Sequence, residues 1–143
     1  MTIYEIRAAL TVLVRGRWAD VPVIKTDSRK PVVRPSFRID VLPVSGGAAC
    51  DGAREREADI DIWYYPKNAD APRDACDAVA DGLLDLLGEG FEVGGVWIPL
   101  DEEMTCDSSE DVLVCQCSIT WIESAAEEGE PMEELNYNET ERS

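Results

Sequence analysis

Residues 54–87 read REREADIDIWYYPKNADAPRDACDAVADGLLDLL, and two periodicities meet within them. Arg54-Glu55-Arg56-Glu57 alternates charge sign and then gives way to Ile60, Ile62, Trp63, Tyr64 and Tyr65, the pattern of one long strand from Arg54 to Tyr65. Its first half has the composition of an exposed hairpin arm and its second half that of a core-embedded strand. Pro66-Lys67-Asn68 ends the run, and Asp70-Ala71-Pro72 opens a helix with proline near the first turn, where a missing N–H costs little. Cys76, Val79, Ala80, Leu83, Leu84 and Leu87 form an apolar stripe at helical spacing, Asp74, Asp77, Asp81 and Asp85 project elsewhere, and Gly88 is a natural stop.

Working outward toward the amino terminus, Ser45 to Gly52 is glycine-rich and joins two strand-like runs, which predicts a mobile hairpin tip. Before it, Phe37, Ile39 and Val41 alternate with Arg38 and Asp40, giving a half-buried strand from Ser36 to Val44. Asp27 to Pro35 reads as a loop, and Val21-Pro22-Val23-Ile24 as a short strand that its proline confines to a sheet edge. Thr2-Ile3-Tyr4-Glu5 has the form of a capping box. Ile3, Ile6, Leu10, Leu13 and Val14 then predict an amphipathic helix that packs on a sheet and ends near Gly16.

Toward the carboxy terminus, the pattern predicts a strand at Phe91 to Val93, a Gly94-Gly95 turn, a strand from Val96 to Met104 and a last strand from Val112 to Ile122. Leu113, Cys115, Cys117, Ile119 and Trp121 alternate along that last strand and should face the helices. The order α-β-β-β-α-β-β-β defines an α+β fold, a mainly antiparallel sheet with two helices packed on one face. Residues 1–122 are expected to form a single domain. Residues 123–143 are acidic, lack apolar periodicity and have the composition of a disordered tail.

The 143-residue chain carries 30 acidic and 13 basic residues, a formal net charge of −17. Such a field repels nucleic-acid phosphates and anionic lipid, so specific DNA binding and membrane attachment are disfavoured, while basic partners or a DNA path that must not stick are favoured. With no histidine in the sequence, Ser/His and Cys/His dyads and all histidine metal sites are excluded. Cys50, Cys76, Cys106, Cys115 and Cys117 are odd in number, contain no C-x-x-C pair and follow no signal peptide, which predicts free thiols in a reducing cytoplasm. No apolar run approaches the roughly 18 residues a bilayer requires, so a soluble chain is predicted.

Three groupings invite chemistry. Asp59-x-Asp61 could offer two carboxylates to a divalent cation, but there is no clear third ligand, and a solvated strand face is the better account. Cys115-x-Cys117 could attract a soft metal, yet its alternation fits small buried core residues. Trp63-Tyr64-Tyr65 could stack bases, but the net charge opposes this and favours packing or subunit contact. No catalytic residue, metal or cofactor is therefore assigned. Arg54, Glu55, Arg56 and Glu57 are the candidate subunit interface, since alternating charge suits register-fixing contacts between neighbours; a solvated hairpin gives the same pattern.

Arg34-Pro35-Ser36-Phe37 opening a strand, Ile60-Asp61-Ile62-Trp63-Tyr64-Tyr65-Pro66-Lys67, and the acid-rich helix to Leu87 resemble the tail terminator family of tailed phages and defective prophages. The first helix followed by Asp20-Val21-Pro22-Val23 fits the same layout, so the similarity spans residues 1–122. The loop from Gly46 to Gly52 and the acidic extension depart from it. The resemblance implies a non-enzymatic virion protein, a homohexameric ring at the neck-proximal end of the tail. Such a ring would cap the tail tube protein, stop its polymerisation and meet a head-completion or neck protein, with DNA passing through unbound and assembly in the host bacterial cytoplasm. The alternatives are a head-completion or neck protein of the same virion, or an acidic DNA mimic that inhibits a host enzyme.

Overall fold

The computed structural model describes residues 1–24, 33–48, 53–109 and 111–124. Positions 49–52 of the predicted hairpin tip, most of the loop before Pro35 and positions 125–143 of the predicted acidic tail lie outside those residues, while Ser45–Ala48 and Glu123–Ser124 extend strands. Helix α1 spans Ile3–Arg17. Its predicted capping box is present: the Thr2 amide donates to Glu5 Oε1 at 2.7 Å, and the Glu5 amide donates to Thr2 Oγ1 at 3.1 Å. Ile6, Leu10 and Val14, one turn apart, are its buried stripe, while Arg15 and Arg17 sit in the last turn, where the helix dipole favours cations.

The main sheet contains β1 (Val23–Ile24), β2 (Ser36–Ala48), β3 (Ala53–Tyr65), β6 (Thr105–Ser109) and β7 (Val112–Ser124), in the spatial order β1-β2-β3-β7-β6. β1 lies at an edge, as Pro22 predicts, and runs parallel to β2 with Val23 opposite Phe37. A separate hairpin pairs β4 (Gly90–Val93) with β5 (Val96–Pro99). Gly94 and Gly95 turn it with φ of 57° and 85°, positive at both central positions as a tight two-residue turn requires.

Three sequence-based expectations are corrected. The strand expected from Val96 to Met104 ends at Pro99, and the next strand, Thr105–Ser109, belongs to the other sheet. Pro99 cannot donate to a ladder and Asp101-Glu102-Glu103 has no apolar alternation, so β5 stops and the chain crosses to start β6 at Thr105. The crossing is pinned by a bridge between Leu100 and Ile119 and by the Asp101 amide donating to the Ser118 carbonyl at 2.9 Å. Leu84 does not belong to the buried stripe of helix α2 (Arg73–Leu87): it is exposed, and Gly82 is buried with Cys76, Val79, Leu83 and Leu87. Strand β2 continues to Ala48, four residues beyond the predicted Val44.

Two compact units are present, Met1–Pro43 with Ala58–Ile119, and Val44–Glu57 with the chain from Thr120 onward. In the first, alternate residues Phe37, Ile39 and Val41 of β2, Ile60, Ile62 and Tyr64 of β3, and Leu113, Cys115 and Ile119 of β7 are buried. Each such side chain contributes roughly 1.5–3 kcal/mol by leaving water. The Trp18 and Tyr64 rings each lie 5.1 Å from the Phe37 ring, centroid to centroid. Cys76 of α2 lies near Tyr64 and Ser108. Both helices therefore cover the face that carries Phe37, Tyr64 and Cys115, and the α+β architecture is the predicted one. Among the described residues, no helix is long and apolar enough to cross a membrane.

Candidate functional site

The predicted interface residues lie in the second unit, at the start of β3. Arg54 and Glu55 are exposed, whereas Arg56 and Glu57 are half-buried. Arg56 is committed within the chain: its Nη1 lies 3.1 Å from Glu123 Oε1, and its guanidinium lies 5.6 Å from the centre of the Trp121 ring. The two charges are only 24% and 14% exposed, so the pair is better shielded than an ordinary surface bridge. Sequence reasoning missed Glu123 and Trp121 because they are more than sixty positions away and share no local pattern with Arg56.

On the first unit, the sheet face away from the helices carries paired polar and aromatic side chains. Asp59 accepts from the Ser118 hydroxyl at 2.7 Å and Asp61 from the Gln116 amide at 3.2 Å. With Glu102 and Glu103 they border an open pocket of about 310 Å³. Among the described residues, no group of three or more acidic or thiol side chains could hold a metal ion. Trp63 and Tyr65 do not form a free stacking platform: Arg38 lies 4.7 Å over Trp63 and Arg34 lies 5.8 Å over Tyr65. Such contacts contribute about 0.5–1 kcal/mol each where water still reaches them.

Arg34 also ties distant segments together. Its Nη2 meets Asp111 Oδ2 at 2.6 Å, and its Nη1 donates to the carbonyls of Pro66 at 3.1 Å and Asp111 at 3.2 Å. The Arg34-Pro35-Ser36-Phe37 and Tyr65-Pro66-Lys67 segments, read separately in the sequence, thus meet in space.

Cys115 and Cys117 are buried core residues. Burial pushes the Cys115 thiol well above the usual thiol range and, with Asp61 and Asp59 nearby, the Cys117 thiol up to about 12. Both therefore stay protonated near neutrality and make poor nucleophiles. Because folding raises these values, the folded state holds protons that the unfolded chain gives up. The contribution is intact below the unfolded thiol value of 9.0 and is lost as pH rises toward 12. Denaturant titrations should accordingly show a falling midpoint from pH 9 to pH 11, and a Cys117→Ala variant should show a shallower fall.

The described residues form an α+β fold held by apolar layers and paired charges. The chain belongs to the phage tail terminator family: a family model described as phage tail terminator protein matches residues 5–131. That family is a structural one, which places the chain among the components of tailed-phage assembly. No curated protein matches it. One solved structure aligns over 86% of this chain and 95% of its own at 17% identity and a TM-score of 0.49, a likeness too distant to bear on function.

Proposed function

We propose that this chain closes into a homohexameric ring that caps the last ring of tail tube subunits, ends their polymerisation and offers the surface to which the head is joined. The family match over residues 5–131 is the observation that carries this reading. Its partners are other copies of itself, the tail tube protein and a head-completion or neck protein, at the neck-proximal end of the virion tail. Arg54 and Glu55 contact a neighbouring copy, with Arg56 and Glu57 behind them.

The charge supports the same reading. Six copies at −17 each total about −100, a field through which DNA can pass without sequence-specific binding. Static light scattering, on the protein alone and with isolated tail tubes, tests the assembly. The expected mass is six times the 15.8 kDa subunit, in free solution or on the tube ends. A monomer that ignores tubes would overturn the reading and favour an acidic inhibitor.

A further inference from the structure

Four of the five thiols fall among the described residues, and two of them face each other. The β6–β7 register sets Cys106 directly opposite Cys115. Directly opposed residues of an antiparallel pair point to the same face, with Cα atoms about 4.5–5.5 Å apart. That spacing lies inside the roughly 4.4–6.8 Å window of a disulfide. Cys117 is one step along the same face of β7, and Cys76 comes from α2; neither stands opposite a cysteine.

We infer that Cys106 and Cys115 are a site of reversible oxidation, forming an intrachain disulfide that staples the edge strand β6 to β7. The co-reactant is a small-molecule disulfide. Cys106, half-buried on the outermost strand, is the thiol that such a reagent reaches; Cys115 lies fully buried beneath it. The Cys106 thiolate attacks one sulfur of the reagent and expels the other as a thiolate, leaving a mixed disulfide. Cys115, held opposite Cys106 by the strand register, then loses its proton to the departing thiolate as it attacks Cys106 Sγ; its burial makes this the slow step, and the fixed proximity of the two thiols compensates for its weak nucleophilicity. In sum, two protein thiols are oxidised to one disulfide and the reagent is reduced to two thiols.

The bond has a structural consequence because β6, among the described residues, pairs only with β7. Reduced, its five residues depend on one ladder; oxidised, they cannot leave it. A particle assembled in a reducing compartment and released into an oxidising one would gain this staple after assembly.

The test oxidises the native full-length chain with glutathione disulfide. Free thiols should fall from five to three. Cleavage at glutamate cuts at Glu110, between the two cysteines, and should yield one linked pair of peptides. The link should persist in Cys117→Ala and vanish in Cys106→Ala. Cys115→Ala should instead hold a single glutathione adduct on Cys106. Amide exchange in Thr105–Ser109 should slow in the oxidised wild type. If the folded chain keeps all five thiols while the unfolded chain oxidises, or if the dominant bridge uses Cys50, Cys76 or Cys117, the proposal fails. The wild-type map and the Cys117→Ala map decide it even if Cys115→Ala does not fold.

Discussion

Phe37→Ala is expected to lower the unfolding free energy by about 3–5 kcal/mol, the usual cost of removing a fully buried aromatic ring. Phe37 is wholly buried, and its ring is the middle of three, with Trp18 on one side and Tyr64 on the other. It therefore links the end of α1 to two strands at once. Aromatic pairing adds about 0.5–1.5 kcal/mol beyond the area buried, so the loss should sit in the upper part of that range. Phe37→Leu, which leaves a smaller void, should cost markedly less. Urea unfolding followed by tryptophan emission measures both, and Trp18 is well placed to report the change. A loss below about 1 kcal/mol for the alanine variant would mean that the three rings do not act as a unit.

At the proposed ring interface, Arg54→Glu is expected to weaken assembly by tenfold or more per contact while leaving subunit stability nearly unchanged. Like charges forced together across an interface cost several kcal/mol, and about 1.4 kcal/mol is already tenfold in affinity. An exposed site far from the core usually changes folding stability by no more than about 0.5 kcal/mol. Arg56→Glu behaves differently, because it sets a second carboxylate beside Glu123 and removes the cation over Trp121. That should cost about 1–3 kcal/mol of stability in addition to any effect on assembly. Light scattering together with thermal unfolding separates the two. A fully assembled Arg54→Glu, Arg56→Glu double variant would remove the arm from the interface.

What could be read directly from the chain was whatever depends on neighbours in sequence. The capping box at Thr2 and Glu5, the four-residue spacing of Ile6, Leu10 and Val14, and the alternation through Phe37, Ile39 and Val41 are local patterns, and the structure reproduces them. Pro22 placed β1 at an edge because a proline cannot serve in a fully paired strand. The break after Pro99 was hidden because Val96 and Met104 bracket it with apolar residues on both sides. Leu84 fits the helical stripe by composition, but the stripe is rotated by Gly82, where a side chain would meet Trp18 at 2.5 Å. The bond from Arg56 to Glu123 and the three-way grip of Arg34 join positions far apart, and no periodicity records them. Of the candidate site, the sequence therefore revealed which residues carry alternating charge, but not which are already spoken for.

The helix-free face of the sheet also restricts how copies can meet. Asp40, Asp59 and Asp61 lie on it, and the last two are held by neutral donors, Ser118 and Gln116, that leave their charge in place. Asp40 is already paired with Arg38, so two copies set back to back about a twofold axis through Asp59 and Asp61 would bring those two carboxylates against their own images and repel there. A contact between unlike surfaces avoids that symmetry, and repeated around an axis it closes a circle. On the proposed ring, the bare face would thus act by exclusion, disfavouring a back-to-back pair that withdraws subunits from assembly.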